Sequence, residues 1–91
     1  MNIGLDFHDT YTKDPIFWDQ VIFLAQRYDH EVYVVTAAAE GEDEDVYDVP
    51  VPLEQIFFTA RNAKHQFMKA EGIKIDVWID NEPEFIKEDK E

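Results

Sequence analysis

The chain has 91 residues, 45% apolar and 14% aromatic, the size of one compact domain with no room for a second core. It contains no cysteine, which excludes disulfides, thiolate metal sites and a thiol nucleophile. With 21 Asp and Glu against 8 Lys and Arg and a formal net charge of −13, direct binding along a nucleic-acid backbone is disfavoured, because counterion release needs a cationic surface.

The opening MNIGLDFHD has no basic region and no long apolar core. No run approaches the roughly 18 apolar residues of a membrane span. The expectation is an unprocessed, soluble, cytoplasmic protein. Asn2 to Phe7 reads as a short buried strand, with Ile3, Leu5 and Phe7 on one face and Gly4 allowing a close neighbour. The polar cluster His8 to Lys13 ends it. Asp14-Pro15 is a helix start, an Asx cap with proline at the first helical position, and Ile16, Trp18, Val21, Ile22, Ala25 and Tyr28 continue at helical spacing. Asp29-His30 turns the chain. Glu31 to Val35, bounded by Thr36, is β-branched and aromatic, the pattern of a second strand.

Residues 37–52 shift to an acidic stretch with two prolines, expected to be a loop holding at most one helical turn. Gln55 to Thr59 reads as a third strand. A helix is predicted from Asn62 to Glu71, burying Ala63, Phe67, Met68 and Ala70 and stopped by Gly72. Ile75 to Ile79 is a fourth strand. A short turn of helix follows Pro83 through Phe85 and Ile86, and residues 87–91 are expected to fray in solvent. Trp18, Trp78, Phe17, Phe57, Phe58 and Phe67 are expected in the core.

This order predicts an α/β fold, a small open parallel sheet of about four strands with flanking helices and little or no cap. In such sheets ligands bind beyond the carboxyl ends of the strands. Those ends carry Asp6, Thr36, Thr59 and Asp80. A carboxylate fixed at Asp6 has two uses: attack on phosphorus to give an aspartyl phosphate, or cation binding. Asp6 with Asp80 makes a partial Mg²⁺ site, since that ion takes a few carboxylate oxygens and leaves the rest of its octahedron to phosphate and water. Lys64 opens the second helix within reach of the same rim, and the Thr36 hydroxyl offers a hydrogen bond to a phosphoryl oxygen. His8, His30 and His65 have no recognisable zinc spacing.

These segments resemble the haloacid dehalogenase (HAD) superfamily, and within it the very small, nearly capless members found among bacteriophage and bacterial proteins. GLDFHDTY is similar to the first motif, EVYVVT to the second, and AKHQFMKAEGIKIDVWIDNEP to the third and fourth run together. The resemblance implies a Rossmannoid single domain over 1–91 and a Mg²⁺-dependent hydrolase, a phosphatase. In it Asp6 is nucleophile and metal ligand, the His8 backbone carbonyl and Asp80 are the other metal ligands, and Thr36 and Lys64 hold the phosphoryl group. His8 stands where the pattern has its acid/base Asp, and imidazole titrates near neutral pH. Asp9 stands at a position often held by glycine and is a second candidate for part of that role. Ala37-Ala38-Ala39 lacks an arginine that small relatives often carry, and Asn81 replaces a second acid.

Two readings follow. One is a phosphohydrolase acting on a small phosphomonoester or a phosphorylated protein, its rim open or closed by the acidic loop or by another subunit of a homo-oligomer. The other keeps the fold but lacks turnover, a phage-type accessory factor that binds a protein partner through its acidic surface, as in nucleic-acid mimicry.

Overall fold

The computed structural model describes residues 1–90. Strands β1 (Asn2–Leu5), β2 (Glu31–Thr36), β3 (Ile56–Phe58) and β4 (Val77–Ile79) form one sheet in the order β3-β2-β1-β4, every pair parallel. Helix α1 (Pro15–Arg27) links β1 to β2, α2 (Lys64–Ala70) links β3 to β4, and α3 (Glu84–Lys87) packs on α2. The expected α/β class, strand number and parallel sense are therefore present. In register, Leu5 lies beside Val34 and Ile79, so β1 and its edge neighbour β4 end level, while β2 runs on to Thr36. Every strand thus delivers its next residues to the same rim.

Local chemistry explains the boundaries. Asp14 Oδ1 accepts from the Phe17 N–H at 3.2 Å and Pro15 occupies the first turn of α1, as the sequence predicts. Asp29 then takes φ +63 to end the helix. Gly72, at φ +78, stops α2, with its N–H donating to the Lys69 carbonyl and that of Ile73 to Met68. β1 is shorter than predicted: it stops at Leu5, and Phe7 is buried from the following loop, where its ring stacks on Tyr11 at 5.8 Å. α2 starts two residues late, and Ala70 is exposed rather than buried.

Side-chain alternation gives the sheet two unlike faces. Leu5, Val32 and Val34 pack with Ile22 and Ala25 of α1 in the main core, which Val46 and Val49 of the acidic segment complete. That segment contains a 3₁₀ turn, Glu44–Asp48, and its two valines anchor it. On the opposite face Gly4 lies under Trp78, and Phe57 contacts Tyr33 and Phe67.

Two further expectations fail. Ile16, Phe17 and Tyr28 are exposed, because only Trp18, Val21, Ile22 and Ala25 fall on the side of α1 turned to this narrow sheet. The C-terminal stretch is tied down through residue 90: Asp89 Oδ1 accepts from the Ala63 N–H at 2.7 Å, satisfying a donor at the start of α2, and the Lys90 N–H donates to the Arg61 carbonyl at 2.7 Å. Residue 91 lies outside the described residues.

A Cβ on Gly4 would sit 2.7 Å from Trp78 Cε3 and 3.1 Å from Ile75 Cγ2. Gly4→Ala should gain roughly 0.5–1 kcal/mol in chain entropy but lose about 1–3 kcal/mol to overpacking. Urea unfolding should therefore show net destabilisation, and a stabilised variant would refute the packing account.

Candidate active site

Asp6 follows β1 directly, and its N–H continues the ladder by donating to the Ile79 carbonyl at 2.9 Å. The carboxylate is thereby fixed to the sheet. Lys64 begins α2 and is 3% exposed. Its Nζ donates to Asp6 Oδ1 at 2.8 Å and to Asp80 Oδ2 at 2.6 Å, and all three side chains are almost wholly enclosed. Three residues separated by up to 74 positions therefore meet at one ammonium, with one cation between two acids.

Thr10 and Asn81 complete the shell around Asp6. The Thr10 hydroxyl donates to Asp6 Oδ2 at 3.0 Å and accepts from the Asn81 backbone N–H at 3.2 Å. The Asn81 amide satisfies its surroundings with its nitrogen toward β1, where it donates to Asp6 Oδ2 at 2.8 Å and to the His8 carbonyl at 3.1 Å. One amide thus marks the His8 carbonyl and the Asp6 carboxylate as neighbours. Sequence reasoning missed the part of Thr10; its signal is a hydroxyl at the end of the same acid-rich loop, 4 positions beyond Asp6. Asp80 Oδ1 accepts from the Glu82 N–H at 2.9 Å, an Asx turn that aims the other oxygen at Lys64.

The remaining predicted residues point elsewhere. His8 is exposed, and its Nε2 lies 3.1 Å from Asp43 Oδ2 in the acidic segment. Asp9 is exposed at φ +59, a left-handed position that favours Gly, Asn or Asp, and its N–H donates to Thr12 Oγ1 at 2.9 Å. Thr36 ends β2 and is wholly buried, but its hydroxyl accepts from the Ala38 N–H at 3.4 Å and bonds to neither Asp6 nor Lys64. Thr59 is also wholly buried, and its hydroxyl has no partner among the described residues. The loops after β2 and β3 are zipped by Arg61 N–H to Ala37 carbonyl (2.8 Å) and Ala60 N–H to Ala38 carbonyl (3.2 Å). Arg61 clasps Glu42 through both guanidinium nitrogens, at 2.8 and 3.2 Å, which holds that carboxyl below its usual range.

The cleft over Asp6, Lys64 and Asp80 has a volume of only about 30 Å³, with His8, Ala37 and Glu82 on its walls. Cavities of about 450 Å³ beside Trp78 and about 520 Å³ beside Gln66 are larger, but neither touches this charged group. Chemistry, not volume, selects the rim, and a ligand of any size would stand on it rather than inside it.

No family model, curated protein or solved structure matches the chain.

Burial pushes the Asp6 carboxyl above its ordinary value; Lys64 opposes that shift without cancelling it, and Asp80 adds to it. For a carboxyl raised in the folded state, the contribution to stability is full below the unfolded-state value and is lost as pH rises through the folded one. Ionised Asp6 therefore costs stability at neutral pH, and Asp6→Asn is expected to be at least as stable as the parent at pH near 7. Lys64→Met leaves two adjacent carboxylates unpaired and should lose about 3–5 kcal/mol there, with a smaller loss in acid where the carboxylates protonate. Denaturant titrations of both variants across pH test this; an Asp6→Asn protein much weaker than its parent, or a pH-independent Lys64→Met loss, would contradict it.

Proposed function

We propose that this chain is a HAD-type, Mg²⁺-dependent phosphohydrolase that acts on an exposed phosphomonoester through an aspartyl phosphate on Asp6. The observation that carries the reading is the Lys64 ammonium bridging Asp6 and Asp80 at the carboxyl ends of the adjacent strands β1 and β4. Removing three charges from water costs several kcal/mol per ion, so such a group is a poor stability device. Placed on the rim where open parallel sheets bind ligands, it is better explained by chemistry.

The donor set fits a hard cation. Asp6, Asp80 and the neighbouring His8 carbonyl are all oxygen ligands, and Mg²⁺ needs only one or two carboxylates when phosphate and water supply the rest. Among the described residues no three His, Cys, Asp or Glu side chains gather as a metal cluster, so a cation demanding a full protein cage is not served. When bound, Mg²⁺ would offset charge on the phosphoryl oxygens.

The chain's own residues supply the remaining roles. Lys64 and Thr10 orient the Asp6 carboxylate, one on each oxygen. An Asp6 oxygen forms a bond to phosphorus as the ester oxygen departs with a proton from His8. Water then attacks phosphorus, its proton returns to His8, the Asp6–phosphorus bond breaks and inorganic phosphate leaves. Lys64 also neutralises developing charge on the phosphoryl group. His8 must exchange Asp43 for the substrate to act, so the acidic segment competes with substrate for the imidazole. The shallow cleft favours a phosphate that stands clear of its carrier, as on a small monoester or a phosphorylated side chain.

The outward direction of His8 favours a second reading, a binding protein of the same fold without turnover. An aryl phosphatase assay with Mg²⁺ separates the two. The enzyme reading expects hydrolysis that falls at least about 10³-fold in Asp6→Asn and rises in His8→Asp, an acid/base group being worth roughly 10²–10⁴. No hydrolysis in the parent, with activity appearing in His8→Asp, would establish the binding reading instead.

A further inference from the structure

The solvent side of α1 is the least expected surface of the molecule. Ile16, Phe17, Phe23, Leu24 and Tyr28 expose between 48% and 78% of their area. At 3.6 residues per turn they share one half of the helix, with only Gln20 and Arg27 between them. Taking roughly 200 Å² as the full area of a large apolar side chain, these exposures leave roughly 600 Å² of apolar surface, the upper end for the largest patch on a monomer. Scattered apolar residues need no explanation, but a contiguous helix face does.

We propose that this face joins two copies of the chain, their α1 helices packed antiparallel about a twofold axis. Three observations select a second copy as the occupant. Two such faces cover roughly 1,200 Å² before the stems of Gln20 and Arg27 are counted, the lower bound of a stable interface. The face carries no carboxylate in a chain with 21 Asp and Glu: the one acid inside α1, Asp19, is turned inward and accepts from the Tyr11 hydroxyl at 2.6 Å. Mutual repulsion between chains of net charge −13 is therefore weakest here. Arg27 makes no ion pair among the described residues. Near the end of one α1 it would meet the Asp14 end of the other, with helix dipoles opposed. This inference stands apart from the catalytic reading.

Sedimentation velocity of the full chain over a wide concentration range tests it. The mass should rise from 10.7 kDa to twice that value, with more dimer at higher salt as repulsion is screened. Leu24→Lys and, separately, Ile16→Lys should each raise the dissociation constant at least about tenfold, because every change counts twice in a twofold interface. Both reduce the net negative charge, so weaker association could not come from added repulsion. Circular dichroism should stay helical, and Leu53→Lys, which replaces an exposed leucine elsewhere, should leave the dimer intact. A parent that stays at monomer mass throughout, a dimer unaffected by both α1 variants, or one equally weakened by Leu53→Lys would overturn the proposal.

Discussion

Lys64 reaches from the start of α2 into the gap beyond β1 and β4, and its ammonium donates there to Asp6 and Asp80 while all three side chains are nearly enclosed. The contact ties β1 and its edge neighbour β4 to the second helix at the rim. It leaves two acids sharing one cation, so part of the negative charge is answered only by the Thr10 hydroxyl and the Asn81 amide. Burial without full compensation is what pushes Asp6 upward. A structure selected for stability alone would fill this space with apolar side chains. The retained charge makes the rim the natural place to look for chemistry.

The surroundings hold that group by backbone more than by side chains. β1 and β4 end level, so Asp6 and Asp80 emerge together. The loops after β2 and β3 are zipped to each other. Asp89 satisfies a donor at the start of α2, so the C-terminal segment also helps fix the element that carries Lys64. The acidic segment is anchored below by Val46 and Val49 and pinned at the rim by His8–Asp43 and Arg61–Glu42. A segment rich in like charge thereby gains a defined course, because its apolar residues reach the core and its acids meet the His8 imidazole and the Arg61 guanidinium.

Much of this is legible in the sequence. Asp14-Pro15, Gly72 and the β-branched run Val32 to Val35 each act through local chemistry, so the α/β order and the parallel sheet follow from them. Strand ends place Asp6 and Asp80, and the start of the second helix places Lys64, on one rim, and the structure joins them. Thr36 shares that rim, but its hydroxyl turns to its own loop, a direction that spacing cannot give. His8 and Asp9 depart for a similar reason: the left-handed turn at Asp9 decides where the loop's side chains point. The outer face of α1 is exposed, against the sequence expectation, because its apolar residues encircle more of the helix than a narrow sheet can cover. The docked C-terminal segment was invisible, since its ties through Asp89 and Lys90 are to positions nearly thirty residues away.

The central claim is that the Asp6 carboxylate forms a covalent bond to phosphorus. It is tested most directly by incubating the chain with Mg²⁺ and an aryl phosphate, quenching with borohydride and sequencing the peptides by mass spectrometry. An acyl phosphate on Asp6 is reduced under these conditions to homoserine, so the account predicts homoserine at position 6 in the parent and none in Asp6→Asn. An unmodified position 6 in a chain that releases phosphate would contradict the assigned nucleophile, and one in a chain that releases none would contradict the enzyme.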